Sequence, residues 1–504
     1  MKRISLLLVI CVWAQLILLA QDAPRWMSID DTLRVDHLLT LAWKNPAINQ
    51  FSRSSGVSHA GGGIDIHSED GETVALDVQR GDYSRLWNLM ADTHIKHHGS
   101  TLWGHARYEN GFTKHITWNE TSDMDIVYPY LLADSVISSR MKTECYSFGG
   151  GYADGNGRLY WGASVDYTAG LHYRSVDPRP RNITACLDLA AGVGVKVIDS
   201  HVAALSLGFR KYKQTNNVAF YSELGHDKIF HLTGLTNDYG RFAGTGEATY
   251  YNGYRWRASV NLHPILARGL TASVELSRFA FDNILTGLNK LPLARVTHNA
   301  VNGEIGWLQR NWGVRATVTA SRRVGTENVF GDAAAMVYPL IGSNDMYHEN
   351  RLDVGLDALW SRMWTRSFKT DVHPLVSYRH LNEIYADPQC RRLINQVEWG
   401  TRLYSRWHSG RFMPGLMLGV IMDHPVTSQW LANGVKEELA GLMRAHRAGF
   451  DYMSRFHWHG EAMLSIQVAV NNRQAIRLNC GAKLGHYYSG LKTIDVAGSL
   501  HYVF

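Results

Sequence analysis

His457 and His459, in the stretch "FHWHGE", are two imidazoles at positions i and i+2. On a strand such positions share a face, and neutral imidazoles on one face can ligate a transition metal. The sequence supplies no third or fourth ligand at a fixed spacing, so no metal site is assigned. His94, His97 and His98, in "HIKHHGS", read the same way, as scattered histidines. His98-Gly99-Ser100 has the spacing of a base beside a nucleophile, but it lies near a turn and Thr101 follows it. No G-x-S-x-G, H-E-x-x-H or phosphate-binding glycine loop occurs. No catalytic residue and no cofactor is assigned. The acidic stretch "NETSDMDIVYPY" holds Glu120, Asp123 and Asp125. Oxygen-rich loops suit hard cations such as Ca²⁺; the plainer reading is a structured surface loop covering a mouth.

What must position these residues is a set of long alternating segments. In "RLYWGASVDYTAGLHY", Leu159, Trp161, Ala163, Val165, Tyr167, Ala169, Leu171 and Tyr173 share one face. Asp166 and its polar neighbours share the other. "ITACLDLAAGVGVKV", "YRWRASVNLH", "WGVRATVTASR", "RLDVGLDALWSR" and "INQVEWGTRLYSRWH" repeat the pattern. Strict alternation marks strands. These are long against the ~5–6 residues typical of globular sheets, and long enough to cross a bilayer, for which ~9–11 suffice. In a sandwich the polar faces would meet bulk water. In a membrane barrel the oily faces meet lipid and the polar faces line a lumen. The chain ends on "DVAGSLHYVF", an alternating strand finishing in Tyr502 and Phe504, where a barrel would close.

The expected fold is therefore all-β: a transmembrane antiparallel β-barrel of about 18–22 strands, spanning residues 51–504. A first count gives roughly 21, and a single-chain barrel favours an even number. The least distinct segments are those near 62–81 and the break at 471–474. The long loops fall at 119–141, 214–243, 323–346 and 424–442. The loop "GTENVFGDAAAMVYPLIG", with Phe330 and Tyr338, is apolar enough to fold inward or contact a partner. The expected lumen set is Arg255, Arg257, Arg315, Arg402 and Arg406, balanced by Asp166, Asp353, Asp357 and Glu398. On a strand, Arg351 with Asp353 and Asp357, and Glu398 with Arg402 and Arg406, could satisfy each other. An arginine excess would favour anions.

Residues 1–20, "MKRISLLLVICVWAQLILLA", have a basic start and an apolar run, the pattern of a cleaved signal peptide. Residues 21–50 read as a periplasmic segment, with a helical pattern over "SIDDTLRVDHLLTLAWKN". The formal charge is +6, about +4 without Lys2 and Arg3, which is too mild and too evenly spread for nucleic acid. The 46 Gly, 24 Tyr and 16 Trp against 12 Pro suit curved strands with aromatic belts. Cys145, Cys186, Cys390 and Cys480 show no C-x-x-C spacing, and their pairing stays open.

Three blocks, "NPAINQF" (45–51), "WNETSDMDIVYPYLLAD" (118–134) and "RRVGTENVFGDAAAMVYPLIG" (322–342), resemble a Bacteroidota-type outer-membrane β-barrel family of undefined function. The resemblance spans nearly all of the mature chain and implies location in the cell outer membrane, not a reaction. "NPA" is also similar to the start of long-chain fatty-acid transporter barrels, in which the N-terminus enters the lumen. The leading function is a pore or transporter for an unidentified solute. The alternative is a scaffold barrel for an envelope lipoprotein or receptor, and the least supported is an outer-membrane lipid hydrolase. The expected partners are outer-membrane lipid and the barrel-assembly machinery.

Overall fold

The computed structural model describes residues 38–52, 58–70, 75–136, 140–198, 200–223, 228–242, 248–266, 268–334, 337–471 and 474–504. The signal peptide and most of the helical pattern after it lie outside the described residues.

The strands are β1 (His59–Asp70), β2 (Tyr83–His97), β3 (Ser100–Lys114), β4 (Leu131–Ala133), β5 (Arg140–Gly155), β6 (Leu159–Tyr173), β7 (Arg179–Ile198) and β8 (His201–Ala219). They continue as β9 (Phe230–Gly234), β10 (Asn237–Asp238), β11 (Ala248–Pro264), β12 (Gly269–Leu285), β13 (Leu291–Leu308), β14 (Trp312–Phe330) and β15 (Leu340–Thr365). The last are β16 (Phe368–Tyr385), β17 (Cys390–Trp407), β18 (Phe412–Ala432), β19 (His457–Ala469), β20 (Ala475–His486) and β21 (Lys492–Val503). Eighteen of them form one antiparallel sheet, each pairing with the next in sequence. The sheet closes where β21 meets β1: Val503 opposes His59, and Phe504 and Ser58 exchange backbone hydrogen bonds of 2.9 and 3.0 Å. Closure leaves no open edge, as hydrocarbon demands of any strand that crosses it. β4, β9 and β10 form a separate small sheet.

Strand pairing turns the sequence alternation into two surfaces. Along β15, Leu352, Val354, Leu356, Ala358 and Trp360 point outward, bounded by exposed Asn350 and Arg362. The flanking strands add Val318, Val376 and Trp399, all exposed. Trp161, Trp307, Trp312, Trp360, Trp364 and Trp407 are exposed close to the short turns, an aromatic girdle at one interface. A closed barrel with such a belt is an outer-membrane protein.

The polar run "GTENV" inside 323–346 is strand and not loop, since β14 continues to Phe330 and β15 starts at Leu340. Beyond the bilayer the outward residues meet water, so Arg322, Thr326 and Asn328 interrupt the oily face without ending the strand. β8 likewise runs on to Ala219, with Lys213, Thr215 and Asn217 on its outward face. Phe330 and Tyr338 pack with Phe242 and Leu293 in a small cluster at the long-loop end. The cysteines Cys145, Cys186, Cys390 and Cys480 are free thiols.

Candidate functional site

The lumen is the site, and the chain fills it from both ends. At the short-turn end lies the segment 38–52. It forms a turn and two 3-10 helices, Ala42–Lys44 and Pro46–Phe51. Asn45 precedes Pro46, and its side chain accepts a hydrogen bond from the Ala47 amide at 3.1 Å, the N-cap position this residue type favours. The same side chain donates to Asn261 Oδ1 at 2.9 Å. Lys44 pairs with Glu275 at 3.1 Å, Thr40 donates to Glu304 at 3.1 Å, and Lys96 donates to the Gln50 carbonyl at 3.0 Å. Leu38 and Leu39 pack on Leu308 and Leu359, and Ile48 on Tyr160 and Val202. Close approach needs glycine on the wall. A Cβ at Gly162 would stand 2.6 Å from the Pro46 carbonyl, and one at Gly192 would collide with the Asn45 side chain.

At the other end, loops turn inward. The stretch from Trp118 to Ala133 and strand β9 bury Trp118, Val127, Tyr130, Leu131, Phe230 and Leu232. They pack against the inward wall residues Tyr212, Tyr251, Phe279 and Phe281. The helix Ala440–Met453 closes over them through Leu442. Tyr251 donates to the Tyr130 carbonyl at 2.9 Å. Asn182 and Asn216 donate to the Glu120 carbonyl and the Thr121 hydroxyl, each at 2.9 Å. The acidic stretch is thus inside the barrel, not a cover at its surface, because its apolar residues find burial only there. Its carboxylates do not converge. Glu120 pairs with Arg174, Asp123 accepts from Tyr212 at 3.0 Å, and Asp125 binds Arg80. Burial raises the Asp123 carboxyl above its usual range, whereas Arg80 holds that of Asp125 below it.

His446 on the capping helix meets Gln79 Oε1 at 3.1 Å. Burial first, then the Arg392 charge, lowers its pKa from 6.5 to about 4, with Asp77 and Glu383 opposing. It is therefore neutral in the folded state at pH 6, while the released imidazole takes up a proton. Its contribution is fully present above about 6.5 and is lost as pH falls toward 4. The protection factor of the amides in 440–453, taken against the intrinsic exchange rate at each pH, is expected to fall across that window, and His446→Gln to flatten the response. A pH-independent protection factor in the wild-type helix contradicts this assignment.

Between the two fillings runs a charged belt. Arg255 and Arg257 face inward from β11, with Arg257 3.7 Å from Glu275. Arg315 pairs with Asp357 at 3.0 Å, Arg402 with Glu461 at 2.8 Å, Arg406 with Asp371 at 3.2 Å and Arg379 with Glu398 at 2.8 Å. Asp166 lies 3.6 Å from His105, and Asp353 stands opposite Arg379 in register. The expected pairings do not form: Glu398 goes to Arg379 on the neighbouring strand, and Arg351 takes Glu349, two residues away on its own strand, at 2.8 Å. Residues two apart on a strand are separated by nearly two rises, whereas cross-strand neighbours have Cβ atoms ~4.5–5.5 Å apart. Apart from Arg351 with Glu349, these partners are set by register, which the sequence left unspecified. His98 and Gly99 are the central pair of a two-residue hairpin turn with φ of 46° and 95°. Ser100 consequently opposes His97 and shares no strand face with His98.

On the wall from β16 to β20 a cavity of about 320 Å³ remains, lined by Arg379, Glu398, Arg402, Asp423, Glu461 and Lys483 among others. Segment 38–52 grips the wall from β3 to β14, across the lumen from it. Sequence reasoning found Glu398 and Arg402. It passed over Asp423, Glu461 and Lys483, whose alternation was readable in "GVIMDHPV", "HGEAMLSIQ" and "RLNCGAKLG" but whose convergence depends on register.

Residues 46–499 match the model of a family of unknown function, DUF6850. The comparison with curated proteins finds no match. Among solved structures, the chain is similar to a mutant of the ferric enterobactin receptor of Pseudomonas aeruginosa, at 9% identity and TM-score 0.35, over 89% of this chain and 80% of that one. It is similar to the ferric preacinetobactin receptor of Acinetobacter baumannii at 9% identity and TM-score 0.39, over 88% and 80%. It is also similar to the monoaromatic hydrocarbon channel CymD at 10% identity and TM-score 0.31, over 92% and 91%. At these identities and scores none of the three bears on what this chain carries.

Proposed function

The chain belongs to the DUF6850 family of unknown function, and from that premise we propose that it passes a small polar or charged solute across the outer membrane, with its lumen narrowed at rest by its own chain. The observation that carries this reading is the cavity on the β16–β20 wall, lined by charges of both signs and facing segment 38–52 across the lumen. A barrel built only to hold a partner has no need of a cavity with a charged inner wall. Lys44, Asn45 and Thr40 hold the segment to the wall by non-covalent polar contacts, beside the packing of Leu38, Leu39 and Ile48, the kind of attachment that can be broken and remade. Arg402 and Arg406 are proposed to line the path with Glu398, and Arg255, Arg257, Arg315, Asp166, Asp353 and Asp357 to set the field along it.

The test is single-channel conductance of the purified, folded protein in a planar bilayer, with and without residues 22–52. Small steady steps are expected from the wild type and larger ones from the shortened chain. Arg402→Ala with Arg406→Ala is expected to shift the selectivity toward cations. Silence from a shortened chain that still folds as a barrel would overturn the transport reading and favour the scaffold.

A further inference from the structure

We propose that Asp423, His457 and His459 form a binding site for a divalent transition-metal ion, with zinc as the type case, on the lumen wall at the β18–β19 seam. This inference is independent of whether the barrel conducts.

Register creates the cluster. Asp423 and His457 are directly opposed across the two strands, and His459 follows on the same inward face. The three ligand atoms lie within 4.8 Å of one another. Asp423 Oδ2 is 3.4 Å from His457 Nε2 and 3.7 Å from His459 Nε2. Both separations exceed a good N–H···O hydrogen bond of about 2.7–3.2 Å. The 3.4 Å separation fits the spacing of neighbouring ligands around a tetrahedral ion and the 3.7 Å one lies just outside it: bonds of about 2.0–2.2 Å place ligand atoms about 3.3–3.6 Å apart. Two imidazole nitrogens and one carboxylate oxygen are also the donor set that zinc and its neighbours prefer.

The surroundings orient these donors. His457 Nδ1 donates to the Arg455 carbonyl at 2.9 Å, which fixes the tautomer and leaves Nε2 with its lone pair toward Asp423. Tyr487 stacks on the His457 ring at 5.0 Å and meets the His459 ring edge-on at 5.6 Å, so one aromatic wedge holds both. Asp423 Oδ1 accepts from Gln396 at 3.1 Å, leaving Oδ2 for the ion. Asp423 and His457 are each 2% exposed, so the carboxylate is largely removed from water, and among the described residues the nearest arginine or lysine paired with it is Arg379 at 3.8 Å. Arg379 and Arg402 are themselves taken up by Glu398 and Glu461, which limits their repulsion of a bound ion. With three protein ligands, the fourth position faces the 320 Å³ cavity, the arrangement of an ion that exchanges or holds water or solute.

The experiment is titration of the purified, folded, tag-free barrel with Co²⁺, read by the intense visible absorption of tetrahedral cobalt and reversed by Zn²⁺. One equivalent per chain is expected to bind saturably at micromolar concentration. His459→Ala and Asp423→Asn are each expected to weaken binding at least ~10-fold, the lower bound seen when metal sites lose a supporting group. His97→Ala with His98→Ala should leave it unchanged. The heat-dependent gel mobility of folded barrels confirms that each variant is assembled. No saturable binding by the wild type up to millimolar cobalt overturns the site. So does binding that survives His459→Ala but is lost with His97 and His98, which would place the ion at the hairpin turn.

Discussion

Replacing Arg174 with alanine is expected to release the stretch 115–134 from the lumen. Arg174 follows the end of β6, and its guanidinium meets Glu120 where their side chains are 1% and 0% exposed. Burial draws the Arg174 pKa down only to about 10, so the group remains charged at neutral pH. Removing one partner strands the Glu120 carboxylate, whose side chain is fully buried, and breaking a buried pair in this way costs about 3–5 kcal/mol. The cost falls on docking of the inner loop rather than on the barrel, whose strands are paired independently of it. Limited proteolysis should therefore cut within 115–134 in Arg174→Ala while the barrel keeps its heat-dependent mobility. Exchanging both residues for apolar ones, Glu120→Leu with Arg174→Met, should restore most of the protection, because a well-packed apolar pair replaces an ion pair at little net cost. Unchanged protection in the single variant would show that the aromatic contacts of Tyr130 and Trp118 hold the loop alone.

Leu356→Arg is expected to cost about 2–4 kcal/mol, the depth-dependent penalty for arginine at the bilayer midplane of a barrel. Leu356 is 50% exposed, points outward, and lies midway between the polar outward residues Asn350 and Arg362 on β15. Its neighbours across the sheet are Ala316 and Val376. Asn350→Arg, at the rim of the same face, should cost only about 0–1 kcal/mol. Denaturant unfolding from lipid vesicles measures both. Equal costs at the two depths would mean that the oily belt does not sit where the strand pattern places it.

The surfaces were legible because a strand has a period of two and each face meets one solvent. "RLDVGLDALWSR" alone assigns Leu356 to lipid and Asp357 to the lumen, and no tertiary knowledge changes that. The same logic weakened beyond the bilayer, where "GTENV" is strand although its outward residues are polar. Which side chains meet inside was not legible. Glu398 finds Arg379 rather than Arg402, and His457 finds Asp423, because opposing residues are chosen by register. Between β18 and β19 that register is set across the loop and helix of 433–456, whose length no local rule converts into an offset. The fate of "NETSDMDIVYPY" was hidden for a related reason. Its apolar residues require burial, but only the closed barrel offers Tyr212, Tyr251 and Phe281 as the surface to bury against. The sequence by itself determined a membrane barrel and the facing of its strand residues, since both follow from local alternation. The tertiary structure alone decided the filled lumen, the ion-pair partners and the His–Asp cluster, since these depend on contacts between segments far apart in the chain.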